Sequence, residues 1–185
     1  LTLKANSYLQ DGRLTVSDHY PVVVSFTLTD PDGTPVDNTL SGSDDEVVLT
    51  DGTPTDPTSD LSGVYYLRNV STGKYLNMGG QHSTHAYESV HVLPVTLSKV
   101  GTNTYSVQSH TLGNVYLGVD YFVDQGQANW VVKEIVRSDG VKKYMFLNPN
   151  NNSMALASEG GNSIGGAAYD VNDTKQHWML FTADW

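Results

Sequence analysis

The feature that most constrains this chain is a recurrence with a period of about 40 residues across its C-terminal two-thirds, the span at which repeat architectures are built. The first unit opens with Tyr65-Tyr-Leu-Arg-Asn-Val-Ser-Thr-Gly-Lys-Tyr-Leu-Asn77. The second has Tyr105-Ser-Val and then Gly113-Asn-Val-Tyr-Leu-Gly118, and the third has Tyr144-Met-Phe-Leu-Asn148 and then Asn152-Ser-Met-Ala-Leu-Ala157. Each unit reads as a short alternating strand, a Gly- or Asn-rich turn, and a second short strand reaching a Leu. Each closes on a further apolar strand: Val95 to Val100, Trp130 to Ile135, and Trp178 to Phe181. A single unit of this size cannot bury a core, whereas three arranged about an axis can. Abundant Gly, Thr, Ser, Asn and Tyr agree with strands and turns. The sequence predicts an all-β module over residues 62–185, with Trp130 and Trp178 in its core and Tyr75 and Tyr116 at core positions.

The remainder divides in two. Residues 1–28 form a short β tail ending in the alternating run Val22 to Leu28. Residues 29–61 form an acidic linker containing Pro31, Pro35, Pro54 and Pro57, with too few large apolar groups to offset the entropy of ordering. Within it, Glu46-Val-Val-Leu-Thr50 is the one candidate strand, and Asp30-Pro-Asp-Gly33 is a tight turn without calcium-loop spacing. Of the net charge of −10, nine units lie between Asp30 and Asp60, so the rest of the chain carries only −1. That balance gives the module no basic face for nucleic acid. The acidic segment slightly favours a lipid or small phosphodiester over DNA as a substrate of any attached enzyme. With no Cys there is no disulfide or thiolate site. No apolar run approaches the ~20 residues of a membrane-spanning helix. The chain opens at Leu1 without a signal peptide, which leads us to expect a fragment.

Two resemblances follow from particular residues. The string Gly63 to Asn77, together with Gln176-His-Trp178, resembles a ricin-type β-trefoil domain. Its units end in glutamine, any residue, tryptophan. Here the closing motif is whole in unit three. Ala128 replaces glutamine in unit two, and Val95 falls near the tryptophan position in unit one. The resemblance covers about 120 residues and implies a module of three degenerate repeats that binds carbohydrate or a cell-surface ligand. Its implied binding groups are Tyr75, Asn77, Gln81, His82 and Tyr87 in unit one, Asp120, Tyr121 and Gln127 in unit two, and Glu159, Asn162 and Tyr169 in unit three. Unit one is favoured. The second string, Ser17-Asp-His-Tyr-Pro21, precedes a strand and is similar to the C-terminal signature of the endonuclease/exonuclease/phosphatase superfamily. It implies a truncated phosphodiesterase domain in which His19 is the catalytic histidine and Asp18 a metal-site carboxylate, with Mg²⁺ or another divalent cation as the parent's cofactor.

These few residues cannot preorganise a transition state alone. The expectation is therefore a non-catalytic C-terminal fragment of a secreted, cell-surface or periplasmic metal-dependent phosphodiesterase. Its missing N-terminal domain is the partner and its module takes a glycan. The alternative is an accessory module without a ligand. His82, His85 and His91 with Glu88 match no zinc spacing and read as a polar loop.

Overall fold

A computed structural model describes residues 49–78 and 84–183. The tail 1–28, its Asp18 and His19, the turn at Asp30, and Gln81 and His82 lie outside the described residues.

Repeat one consists of β1 (Gly63–Asn69), β2 (Tyr75–Asn77), β3 (Tyr87–Ser89) and β4 (Val95–Lys99). Repeat two has β5 (Thr104–Ser109), β6 (Tyr116–Leu117), β7 (Val123–Asp124) and β8 (Trp130–Val136). Repeat three has β9 (Lys142–Asn148), β10 (Asn151–Gly160), β11 (Ser163–Ala168) and β12 (Trp178–Thr182), with a 3₁₀ turn Thr174–Gln176 before the last strand. The first and fourth strands of the repeats pair antiparallel in the cycle β1–β4–β5–β8–β9–β12–β1, which closes a six-stranded barrel without an edge. The hairpins β2–β3, β6–β7 and β10–β11 cap the barrel, and β3 pairs with β11 across it. This is a β-trefoil.

The threefold relation is written in the register. Tyr65 opposes Val95, Tyr105 opposes Trp130, and Tyr144 opposes Trp178. Two residues further on, Leu67, Val107 and Phe146 form one fully buried layer. Leu76, Leu117 and Leu156, all with no exposed surface, form another under the hairpins. Side chains alternate across a strand, so one inward residue in two from each repeat is enough to build these layers. The Trp178 Nε1–H donates to the Leu156 carbonyl at 3.1 Å, and that of Trp130 donates to the Leu117 carbonyl at 3.0 Å. Val95 has no such donor, so repeat one lacks this tie.

The closing strands start where the sequence places them, but each repeat has a fourth strand the sequence reading did not resolve. These are β3 (Tyr-Glu-Ser), β7 (Val-Asp) and β11 (Ser-Ile-Gly-Gly-Ala-Ala). They are short or Gly-rich and carry no alternating apolar signal. Their pairing comes from the hairpin and the neighbouring repeat. Tyr75 and Tyr116 are half-buried rather than central.

Residues 49–61 also differ from the expectation of a linker. They run against repeat two as a strap. Gly52 N–H donates to Val136 O at 3.0 Å, and Thr55 and Glu134 exchange backbone hydrogen bonds of 2.9 and 2.8 Å. Lys143 pairs with Asp51 at 2.8 Å and Lys133 with Asp56 at 2.6 Å. Leu61 is buried and its N–H donates to the Tyr105 hydroxyl at 3.2 Å. Order here is supplied by β8 and by two lysines, which local composition cannot reveal. Leu49 and Thr50, from the candidate strand at 46–50, are exposed and outside any strand.

Candidate binding groove of repeat two

A groove of about 460 Å³ opens beside the hairpin of repeat two. One wall is the β6–β7 turn with Asp120 and Asp124. The floor is Gln127, Ala128 and Asn129, and the far wall is the Pro149-Asn150 turn of repeat three. Such a volume suits a small ligand.

The walls are fixed by the chain itself. Gly118 N–H donates to Phe122 O at 2.8 Å and Tyr121 N–H to Gly118 O at 2.9 Å, which closes a three-residue hairpin loop. Asp120 Oδ1 accepts from Phe122 N–H at 3.2 Å, and Asp124 Oδ1 accepts from the N–H groups of Gln125 at 2.6 Å and Gly126 at 3.3 Å. A Cβ on Gly118 would stand 2.6 Å from Asp120 Oδ1, so a side chain there displaces the carboxylate. Asn148 ties the two walls together: its Nδ2 donates to Val119 O at 3.0 Å while its Oδ1 accepts from Asn150 N–H at 2.9 Å. On the floor, Gln127 Nε2 donates to Asn129 Oδ1 at 3.0 Å.

The groove lies beside the place where repeat two has lost the closing glutamine. In repeat three the buried Gln176 amide donates to Ala168 O at 2.7 Å and accepts from Asp170 N–H at 3.1 Å, tying the preceding loop down. Ala128 holds the same place, two residues before its tryptophan, and has no amide to do so. Its neighbours line open space instead.

The sequence-predicted residues separate under the fold. Asp120 and Gln127 meet in the groove. Tyr121 does not line it: this residue occupies the place that buried Ala86 and Ile164 hold in the other repeats. Its ring packs against the core 6.0 Å from that of Trp130, and its hydroxyl reaches toward Gly166. In repeat one Asn77 is buried, Tyr75 is half-buried with its ring edge-on to Tyr66 at 6.5 Å, and Tyr87 is exposed. They do not line the groove of repeat two. In repeat three Asn162 accepts from Lys74 at 2.9 Å, the Glu159 side chain lies over Gly165, and Tyr169 is exposed.

The residues His85, His91 and Glu88 are dispersed. His85 stacks on Phe122, His91 is exposed beside Ser89, and Glu88 is buried beneath β2. Among the described residues no three His, Asp or Glu side chains converge as a metal site. Sequence reasoning missed Asp124, Asn129 and Asn150. Asp124 lies in a two-residue strand, and Asn150 comes from a different repeat, so no local pattern marks either.

Burial holds the Glu88 carboxyl above the ordinary carboxylate range, against hydrogen bonds from Ser158 and Thr72. Burial likewise keeps the His177 imidazole below its usual value, with Lys143 adding to the effect. Its Nε2–H donates to Val171 O at 3.0 Å. Tyr144 is pushed up to about 12 by burial and by the nearby Glu134. These groups sit at repeat junctions and the barrel mouth, away from the groove.

Solved structures share this architecture. A designed 3-fold symmetric protein, ThreeFoil, superposes with TM-score 0.52 at 19% identity over 65% of this chain and 99% of its own. The GlcNAcα1-4Gal releasing endo-β-galactosidase from Clostridium perfringens gives 0.53 at 17% over 65% of this chain, which spans 32% of that enzyme. A salivary protein from Culex quiquefasciatus, of the Cysteine and Tryptophan-Rich family, gives 0.52 at 17% over 69% of this chain and 98% of that one. At these identities the likeness establishes the β-trefoil fold. No protein-family model matches the sequence, and no curated protein matches it.

Proposed function

We propose that the module binds an uncharged carbohydrate in the groove of repeat two. The observation that carries this reading is the pair Asp120 and Asp124, held by backbone N–H groups and lining one groove with Gln127, Asn129 and Asn150. Carboxylates accept hydrogen bonds from hydroxyls, and amides both donate and accept, which is the mixture a polyhydroxylated ring requires. Among the described residues no lysine, arginine or histidine lines the groove, so an acidic sugar would meet two carboxylates there without a basic partner. The trefoil portion of a glycan-releasing enzyme among the structural neighbours agrees with this reading. The test is a glycan array with the whole chain and its Asp120→Ala variant. Binding to neutral glycans that falls at least ten-fold in the variant is expected. A blank array for the wild-type chain at high concentration overturns the proposal.

The setting of the module is a second inference. The resemblance of Ser17 to Pro21 supports a secreted Mg²⁺-dependent phosphodiesterase as the parent, with His19 as its catalytic histidine and Asp18 at its metal site. In the full-length protein His19→Ala then abolishes metal-dependent phosphodiester hydrolysis, and full retained activity refutes the assignment.

A further inference from the structure

Beside the groove lies an aromatic surface that neither the threefold pattern nor the groove accounts for. Phe122 follows the strained turn of repeat two and is 39% exposed. Its ring meets that of His85 from repeat one, edge to face, with centroids 4.7 Å apart. The contact is built on backbone pairing between the repeats: His85 and Phe122 form an antiparallel bridge, flanked by Ala86 N–H to Tyr121 O at 2.9 Å and Val123 N–H to Thr84 O at 2.8 Å. His85 Nδ1–H donates to Ala86 O at 2.8 Å, which fixes the imidazole that braces the ring.

We infer that Phe122, braced by His85, is a stacking shelf for a second sugar ring of a glycan whose first ring occupies the groove. The inference rests on the carbohydrate reading of that groove. Continuity of surface supports it. The N–H of Phe122 holds Asp120, a wall of the groove, and exposed Phe122 and half-buried Asp124 flank buried Val123 where the His85 bridge runs into β7. Alternate residues of a strand are roughly 7 Å apart, a distance that two linked sugar rings can span. The carbon-bound face of a pyranose is apolar and matches an aromatic face, while its hydroxyls need the polar groove. An aromatic ring already held by a neighbour loses little freedom on binding. The shelf thus selects oligosaccharides over monosaccharides.

The experiment compares wild type, Asp120→Ala, Phe122→Ala, Phe122→Tyr and His85→Ala on one array of neutral mono- and oligosaccharides, with each variant's melting temperature measured alongside. Phe122→Ala is expected to weaken oligosaccharide binding about ten-fold and to leave monosaccharide binding within two-fold. Phe122→Tyr retains both, and His85→Ala shows a smaller loss confined to oligosaccharides. Unchanged oligosaccharide binding in Phe122→Ala, with binding still lost in Asp120→Ala, overturns the shelf and leaves the groove standing. An equal loss for both ligand sizes in a folded variant also overturns it. If Phe122→Ala does not fold, Phe122→Tyr and His85→Ala decide, and a His85→Ala profile identical to wild type refutes the brace. Wild type that binds no neutral glycan removes both readings together.

Discussion

The Ser158 hydroxyl donates to the Glu88 carboxylate at 2.8 Å across an interval of 70 residues, joining repeat three to repeat one inside the cap. Thr72 donates to the other oxygen at 3.0 Å, and Glu88 has no exposed surface. Its register partner is Leu76, and the corresponding positions in the other repeats are Val123 and Gly166. A buried carboxylate therefore stands at one of three related sites, where the other repeats have valine and glycine.

Burial makes the folded protein hold the Glu88 proton more tightly than the unfolded chain does. Stability from this group is complete below the unfolded carboxylate pKa of about 4.3. It declines as pH rises from there through the raised folded value. Glu88→Gln is expected to flatten that part of the profile. Urea midpoints of the two proteins from pH 4 to 8 check this, and parallel profiles would refute it. Glu88→Ala strands the buried Ser158 hydroxyl and the half-buried one of Thr72 and costs about 2 kcal/mol.

Removing the indole donor at Trp178 leaves the Leu156 carbonyl without its bond. Trp178→Phe should cost roughly 2–3 kcal/mol, summing lost volume and an unsatisfied acceptor. Val95→Trp, at the equivalent place in repeat one, overfills a site already closed and costs about 1–3 kcal/mol. Calorimetry of the two variants checks both values.

Tyr121 has φ of 67°, left-handed backbone that costs a non-glycine residue about 1 kcal/mol. The ring's packing on the core offsets that strain. Replacement by Ala loses the packing and keeps the strain, whereas Gly loses the packing and relieves it. Chemical denaturation should find Tyr121→Gly more stable than Tyr121→Ala by about 1 kcal/mol. The reverse order would show that the turn is not what limits this site.

The strap is held to the module by Asp51, whose partner Lys143 is 7% exposed at its side chain. Asp51→Ala leaves a buried ammonium unpaired and is expected to cost about 2 kcal/mol, below the full buried-pair range because Asp51 is partly solvated. The companion Lys143→Met, which removes the charge as well, should recover most of the loss. A double-mutant cycle measures the coupling.

Gly118→Ala drives a methyl group into Asp120. Neutral-glycan binding should fall by at least ten-fold while the melting temperature moves by only a few degrees, because the Asp120 side chain that must shift is exposed. Titration calorimetry beside a thermal melt separates the two effects.

The tyrosines, leucines and closing strands of three repeats were legible because packing about an axis demands the same inward residues at each period. Trp130 and Trp178 announce themselves in this way. The strands β3, β7 and β11 were not legible, since their partners lie across the hairpin or in another repeat. Tyr121 shows the limit within the candidate site. Beside Asp120 it reads as a binding aromatic, yet in the left-handed turn its ring packs on the core while Asp120 lines the groove. The order of residues 49–61 was hidden for a related reason, because Lys143 and Lys133, which pair with their acids, stand some eighty to ninety residues further along.

By itself the sequence determined the all-β class, the threefold period and the core tryptophans. Each depends on periodicity or residue type, and both are local. Tertiary structure alone decided where a groove opens and which residues face it. The groove combines Ala128, where repeat three has the loop-tying Gln176, with another repeat's turn that Asn148 joins to Val119. Such consequences arise only when segments distant in sequence share a surface.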